Sequence, residues 1–256
     1  ADNGCAYAAA QLFGAKKLSA ADIWRKARLA MEANRISAAK AAADIISPEA
    51  GAHIEEISSN PARFLSKRVI AAGRVARESV VLALVRLAAT DTELAASVME
   101  NHWSVHLSAE QRSWVWGAIG KHAAQRQLND VMAYFSKTKD ADLNDDHLGW
   151  KVRAALRQGQ WKMVLTAIKA MSPDARQDAA WVYWRARALL MLTQTEGERT
   201  EATALLASIA GVRGFYEQLA LEELGIPITT PERPAPLTAE EKEAARQNPG
   251  LARSLY

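Results

Sequence analysis

Three tryptophans, Trp116, Trp150 and Trp184, stand 34 residues apart each time. The register reaches beyond the aromatic ring: WKVRAAL (150–156) aligns with WRARALL (184–190), matching Arg153 with Arg187, Ala154 with Ala188 and Leu156 with Leu190. The segment WGAIGKH, which starts at Trp116, fits more loosely. Thirty-four residues is the length of a tetratricopeptide helix–turn–helix unit. One such hairpin cannot bury its own apolar stripe, so hairpins stack on one another and the array curves. The chain is therefore expected to be all-α, a right-handed α-superhelix of antiparallel helix hairpins, tetratricopeptide-like in its solenoid rather than a ball. Equivalent repeat positions place the three tryptophans in the core.

Local signals agree with this reading. Ser19 with Asp22, Ser108 with Gln111 and Thr238 with Glu241 read as helix starts at which a side-chain oxygen satisfies an orphaned N–H. Ser47-Pro48, Ser172-Pro173 and Asn248-Pro249 set a capping residue before a proline at the first helical position, and each is expected to open a fresh helix. Strand signals are almost absent, since VVLALVRL (80–87) lies in a longer alanine- and leucine-rich context that favours helix. The spacing predicts a dozen or so helices of ~10–18 residues. After Gly225 the stretch IPITTPERPAP holds four of the chain's eight prolines. Residues 1–225 thus read as the superhelical array, and 226–256 as a proline-rich connection with the start of a helical linker domain.

Composition bounds the partners. A chain of 256 residues with 49% apolar side chains can bury an extended core, and a net charge of +3 does not call for nucleic acid. The basic excess is local: Arg63, Lys67, Arg68, Arg74, Arg77 and Arg86 form one cluster, and Arg25, Lys26, Arg28, Arg35 and Lys40 another, both read as solvated helix faces. Cys5 stands alone and makes no internal disulfide. No run of 18 apolar residues implies a membrane span, and ADNGCAYAAA lacks the pattern of a secretory signal.

Candidate chemistry is thin. Glu78-Ser79 has the residue types of a transglycosylase motif, but the apolar run after it lacks the rest, so Glu78 reads as helix surface. His102 and His106 have i, i+4 spacing without a third ligand, and His53, His122 and His147 form no pattern. Asp145-Asp146 reads as a helix cap, and Glu222-Glu223 offers no defined acid–base pair. Trp103, Trp114 and Trp161 are less constrained than the repeat tryptophans, and one of them is left open as a ligand-facing ring. No catalytic residue, metal site or cofactor is expected.

The stretch GVRGFYEQLALEELG (211–225) could be a ligand-gripping turn or a joint between helices. The joint reading prevails: Gly211 as a C-cap, Gly214 as a tight entry, Phe215, Leu219, Leu221 and Leu224 as an apolar stripe, Tyr216 holding the turn through its hydroxyl, and Gly225 ending the array.

WVYWRARALL (181–190), EATALLASIAG (201–211) and RGFYEQLALEELG (213–225), in that order, resemble the end of the α-superhelical domain of the soluble lytic murein transglycosylases. HLGWKVRAALRQGQW (147–161), ESVVLALVRLAATDTELAASVM (78–99) and AARQNPGLARSLY (244–256) extend the likeness more faintly. The resemblance implies a periplasmic enzyme that cleaves peptidoglycan glycan strands to 1,6-anhydro ends. It uses one glutamate in a lysozyme-like domain C-terminal to the superhelix. No counterpart of that domain is recognised in residues 1–256, so the chain is expected to be a non-catalytic, substrate-guiding part that partners it and is inactive alone. Arg74, Arg77 and Arg86 are the candidate contacts to the anionic glycan, with Gly214, Phe215, Tyr216 and the repeat tryptophans as structural markers. A free-standing tetratricopeptide-like adaptor for protein segments is the alternative.

Overall fold

The computed structural model describes residues 2–67, 73–192, 195–230 and 233–254. Arg68 and Tyr256 lie outside these. Sixteen α-helices and no strand occur among the described residues: α1 (Asp2–Gly14), α2 (Ala20–Glu32), α3 (Ile36–Ile46), α4 (Pro48–Ser59), α5 (Pro61–Ser66), α6 (Arg74–Thr90), α7 (Thr92–Val98), α8 (Ala109–Gln125), α9 (Val131–Ser136), α10 (Asp145–Arg157), α11 (Trp161–Ala170), α12 (Ala179–Leu192), α13 (Glu196–Ile209), α14 (Phe215–Glu223), α15 (Ala239–Gln247) and α16 (Pro249–Ser254). Consecutive helices pack as antiparallel neighbours through short turns. The buried residues fall into four successive clusters along the chain, which is how a stack of hairpins distributes its core. No described helix is long and apolar enough to cross a membrane.

Helix starts follow the capping logic. Ser19, Ser108 and Thr238 each complete a reciprocal capping box with Asp22, Gln111 and Glu241. Ser47 caps α4 through Ala50 N–H. Asn60-Pro61, passed over in the sequence, opens α5 in the same manner. Ser172-Pro173 opens no α-helix: Ser172 Oγ accepts from Ala175 N–H over a single 3₁₀ turn, Ala175–Gln177, and the next α-helix begins at Ala179. Its hydroxyl and N–H are engaged by Asp145 instead, at 2.7 and 2.8 Å. The cap of α10 is Asn144, whose side chain accepts from His147 N–H, and Asp145 and Asp146 fill the first turn behind it.

Helix ends share one device. α2, α8, α10 and α14 stop at a left-handed residue, Asn34, Gln127, Gly159 and Gly225, with φ between 56° and 70°. In each the following N–H reaches back six residues, as from Ile226 to Leu221 O, and so satisfies an orphan carbonyl. Gly225 pays no steric penalty for this conformation and ends the array where the sequence placed the boundary.

α6 explains why VVLALVRL has no helical stripe. Residues Glu78 to Val85, with Leu87 and Ala88, are all buried, because α2, α4, α5 and α8 surround the helix. A helix apolar on every side is a central one. At the other extreme, α15 has no buried residue and carries capping and charge pairs alone.

Candidate functional site

Two regions gather the chain's polar and aromatic side chains. The first is a pair of buried charge networks around α2. Arg28 and Glu32 are one turn apart on this helix and point into the core. Glu78 on α6 accepts two hydrogen bonds from Arg28, at 3.0 and 2.9 Å, and a third from Gln111 Nε2 on α8 at 3.0 Å, while Glu110 completes the Arg28 fork from the rim. Burial works against the Arg28 charge, but Glu110 and Glu78 overcome it and raise the pKa. One turn on, Glu32 accepts from Trp114 Nε1 and from His147 Nε2, both at 2.8 Å, with Lys121 Nζ 3.6 Å away. Burial opposes the Glu32 charge, and His147, Lys121 and Trp114 together outweigh it, holding the carboxyl below its usual range.

These networks correct the sequence reading at three places. Glu78 is not on a helix surface but is 1% exposed at the centre of the stack. Arg28 is buried rather than solvated, because Glu78, 50 residues away, neutralises it. His147, which belonged to no pattern, is fully buried between α2 and α8. Only a spacing of 115 residues between Glu32 and His147 separates this pair in sequence, and no local signal could have joined them.

The second region is a groove of about 670 Å³ formed mainly by α8, α10, α12 and α14. Trp150, Trp184 and Tyr216 supply its aromatic surface, and Trp184 Nε1 reaches Tyr216 Oη at 3.4 Å. Arg153 and Arg157 stand on the same face of α10 as Trp150, three and seven residues on. The Arg153 guanidinium lies between two indoles, 5.0 Å from the Trp150 ring centre and 4.9 Å from that of Trp181 on α12. Gly149 leaves room for this arrangement, since a Cβ there would sit 3.0 Å from the Trp181 ring and 3.1 Å from Arg153 Nη1. The carboxamides of Gln125, Gln127, Asn129 and Gln158 complete the polar lining. No carboxylate stands among the described lining residues.

The repeat tryptophans therefore divide. Trp116 is buried, stacked on Tyr134 at 5.7 Å and covered by Lys137. Trp150 and Trp184 pack against the core by one edge and face the groove with the other. Trp103 and Trp114 are buried and Trp161 half-buried. At the joint, Gly214 is the N-cap of α14 and Tyr216 packs on Tyr183. Phe215 departs from the expected apolar stripe and is 70% exposed. Ala210, not Gly211, caps α13, and Gly211 N–H instead reaches Glu217 O.

Arg74 and Arg77 occupy the first turn of α6, exposed and half-buried respectively. Arg86 lies about 18 Å further along the helix axis and donates to Asn34 Oδ1 at 2.7 Å. His102 lies in a π-helical turn, Met99–Trp103, and His106 in the turn that follows, so the two do not share a helix face. Glu223 bonds Arg187 and Tyr183.

Comparison with known proteins gives no matching family model. A curated relative, the soluble lytic murein transglycosylase of Salmonella typhimurium (strain LT2), is 32% identical over 103 residues, which is 40% of this chain and 15% of that protein. Among solved structures, an inactive variant of the lytic transglycosylase Slt from Pseudomonas aeruginosa matches 96% of the chain with a TM-score of 0.59 and 25% identity, over 40% of its own length. The 70 kDa soluble lytic transglycosylase from Escherichia coli shares the fold over 94% of the chain, with a TM-score of 0.58 and 21% identity, over 39% of its own length. This chain thus spans well under half of each. Helix order, superhelical stacking and local identity together make it a relative of the soluble lytic murein transglycosylases, all-α and superhelical throughout the shared region.

Proposed function

We propose that this chain is a non-catalytic superhelical scaffold that holds and guides peptidoglycan glycan strands for a lytic transglycosylase working in the periplasm, with 1,6-anhydromuramoyl ends as the product of the whole enzyme. The observation that carries this is the structural likeness over 96% of the chain to a lytic transglycosylase. Residues 1–225 are the superhelical domain in this reading, and 226–256 the connection to a linker domain; the lysozyme-like domain of the same enzyme is the protein partner. Glu78 supports a structural role, because its carboxylate is occupied by Arg28 and Gln111 and has no open approach. Arg74, Arg77 and Arg86 are proposed to help attract the anionic strand.

The 256-residue chain is expected to sediment with purified sacculi at low salt and to give no clearing in a peptidoglycan zymogram. Clearing that disappears in Glu78→Ala would overturn the non-catalytic reading. Neutralising Arg74, Arg77 and Arg86 together is expected to weaken sedimentation, and unchanged binding would remove those three from the contact surface. The adaptor alternative is supported by the groove across successive hairpins, where helical arrays take extended segments.

A further inference from the structure

Two residues that share one repeat position are treated differently by the fold. Arg187 on α12 is paired with Glu223 on α14, which also takes the Tyr183 hydroxyl at 3.4 Å. Arg153, its counterpart 34 residues earlier on α10, has no ion pair among the described residues. It is held by stacking, with its guanidinium between Trp150 and Trp181 at the groove wall. Stacking on indole fixes the plane of a guanidinium while leaving its N–H edge free, and that edge matches a carboxylate with two parallel hydrogen bonds. The spacing of Gly149 against both groups preserves the arrangement.

The rest of the lining has a definite chemistry. Half-buried Trp150 and Trp184 offer flat apolar faces beside polar edges, and four carboxamides offer both donors and acceptors to hydroxyl and acetamido groups. A phosphorylated or purely apolar ligand would make little use of such amides, and a cationic one would meet Arg153 and Arg157 with no acid to oppose them. A volume of about 670 Å³ lies within the ordinary range for small-molecule sites.

We infer that the groove is a binding site for an amino-sugar strand bearing a carboxylate, with a sugar face on Trp150 or Trp184 and the carboxylate on Arg153. The inference rests on the glycan-holding reading above and adds the site and its selectivity. The carboxylate has two sources with the same chemistry: the lactyl group of a sugar stripped of its peptide, or a stem peptide still attached. Selectivity arises because Arg153 has lost hydration to the flanking indoles and receives a bidentate partner in return.

The test is calorimetric titration of the full 256-residue chain with four probes: peptide-bearing disaccharides, the same disaccharides freed of peptide, neutral N-acetylglucosamine oligomers, and free stem peptide. At least one carboxylated sugar is expected to bind about tenfold or more tighter than the neutral oligomer, and the better of the two identifies the carboxylate source. Arg153→Gln is expected to erase that advantage, Arg153→Lys to restore it only partly, and Arg187→Gln to leave it intact; circular dichroism confirms that all three fold. Equal affinity for neutral and carboxylated sugars, or an advantage that survives in Arg153→Gln, overturns the inference. Binding of free peptide alone overturns it in favour of an adaptor. If the chain sediments with sacculi yet none of the variants changes this or the titrations, the scaffold reading stands and the groove assignment falls. If nothing binds and nothing sediments, both fall.

Discussion

The two faces of α10 make opposite use of charge. One face turns His147 and Lys151 inward, where Glu32 and Asp140 meet them at 2.8 and 2.6 Å. The other turns Arg153 and Arg157 outward to the groove, with indole and carboxamide for neighbours and no acid among the described lining. Removing a charge from water costs several kcal/mol, of order, unless a partner repays it, so every cation on the inner face has an acid within reach. On the outer face water still reaches the guanidinium, and no internal partner is needed. The inner face fixes how α2, α8 and α10 are oriented, and the outer face remains available to a ligand.

The largest effect should come from breaking the inner side. Arg28→Ala strands Glu78 at the centre of the stack and is expected to cost about 3–5 kcal/mol in urea unfolding. The double variant Arg28→Met with Glu78→Leu should recover most of this, since an apolar pair of similar volume removes the stranded charge as well; no recovery would refute the ion-pair account.

Glu32→Gln comes next and carries a pH signature. The folded-state pKa of Glu32 lies below its ordinary value of 4.5. Its stabilisation is therefore complete above the unfolded-state value and is lost as pH falls through the folded one. Unfolding free energy measured from pH 7 down to 3 should drop less steeply below about 4.5 in the variant than in the parent. A parallel acid limb in both proteins would show that Glu32 is not the titrating group.

Smaller effects belong to the outer side. Glu223→Gln frees Arg187 and should cost about 0.2–1 kcal/mol, because the pair is partly exposed. Phe215→Ser should change stability by less than about 0.5 kcal/mol, as a ring already in water has little burial to lose. If thermal unfolding shows Phe215→Ser to be as costly as Arg28→Ala, the division into a tied interior and an open surface is wrong.

Much of the architecture is legible in the residues. Caps at Ser19, Ser47, Ser108 and Thr238 act within three or four residues, so the sequence carries all that is needed to place them. Gly225 is equally local, since a left-handed turn is a property of one residue. The 34-residue period goes further and identifies Trp116, Trp150 and Trp184 as equivalent positions. Ser172-Pro173 misleads for a physical reason: the cap is sound, but Asp145 takes the serine before a helix can extend from it.

Equivalence of position did not determine environment. Tyr134 and Lys137 cover Trp116, whereas Trp150 and Trp184 open onto the groove, because what lies over a ring depends on which helices the stack brings beside it. The sequence alone determined the helical class, most helix starts, the end of the array at Gly225 and the family likeness, all carried by local chemistry or by a regular period. Only the tertiary structure decided that Glu78 and His147 are buried partners, that Arg187 is neutralised and that Arg153 is not. Those outcomes depend on contacts between residues 36 to 115 positions apart, and an ion pair across such distances leaves no mark in any one segment.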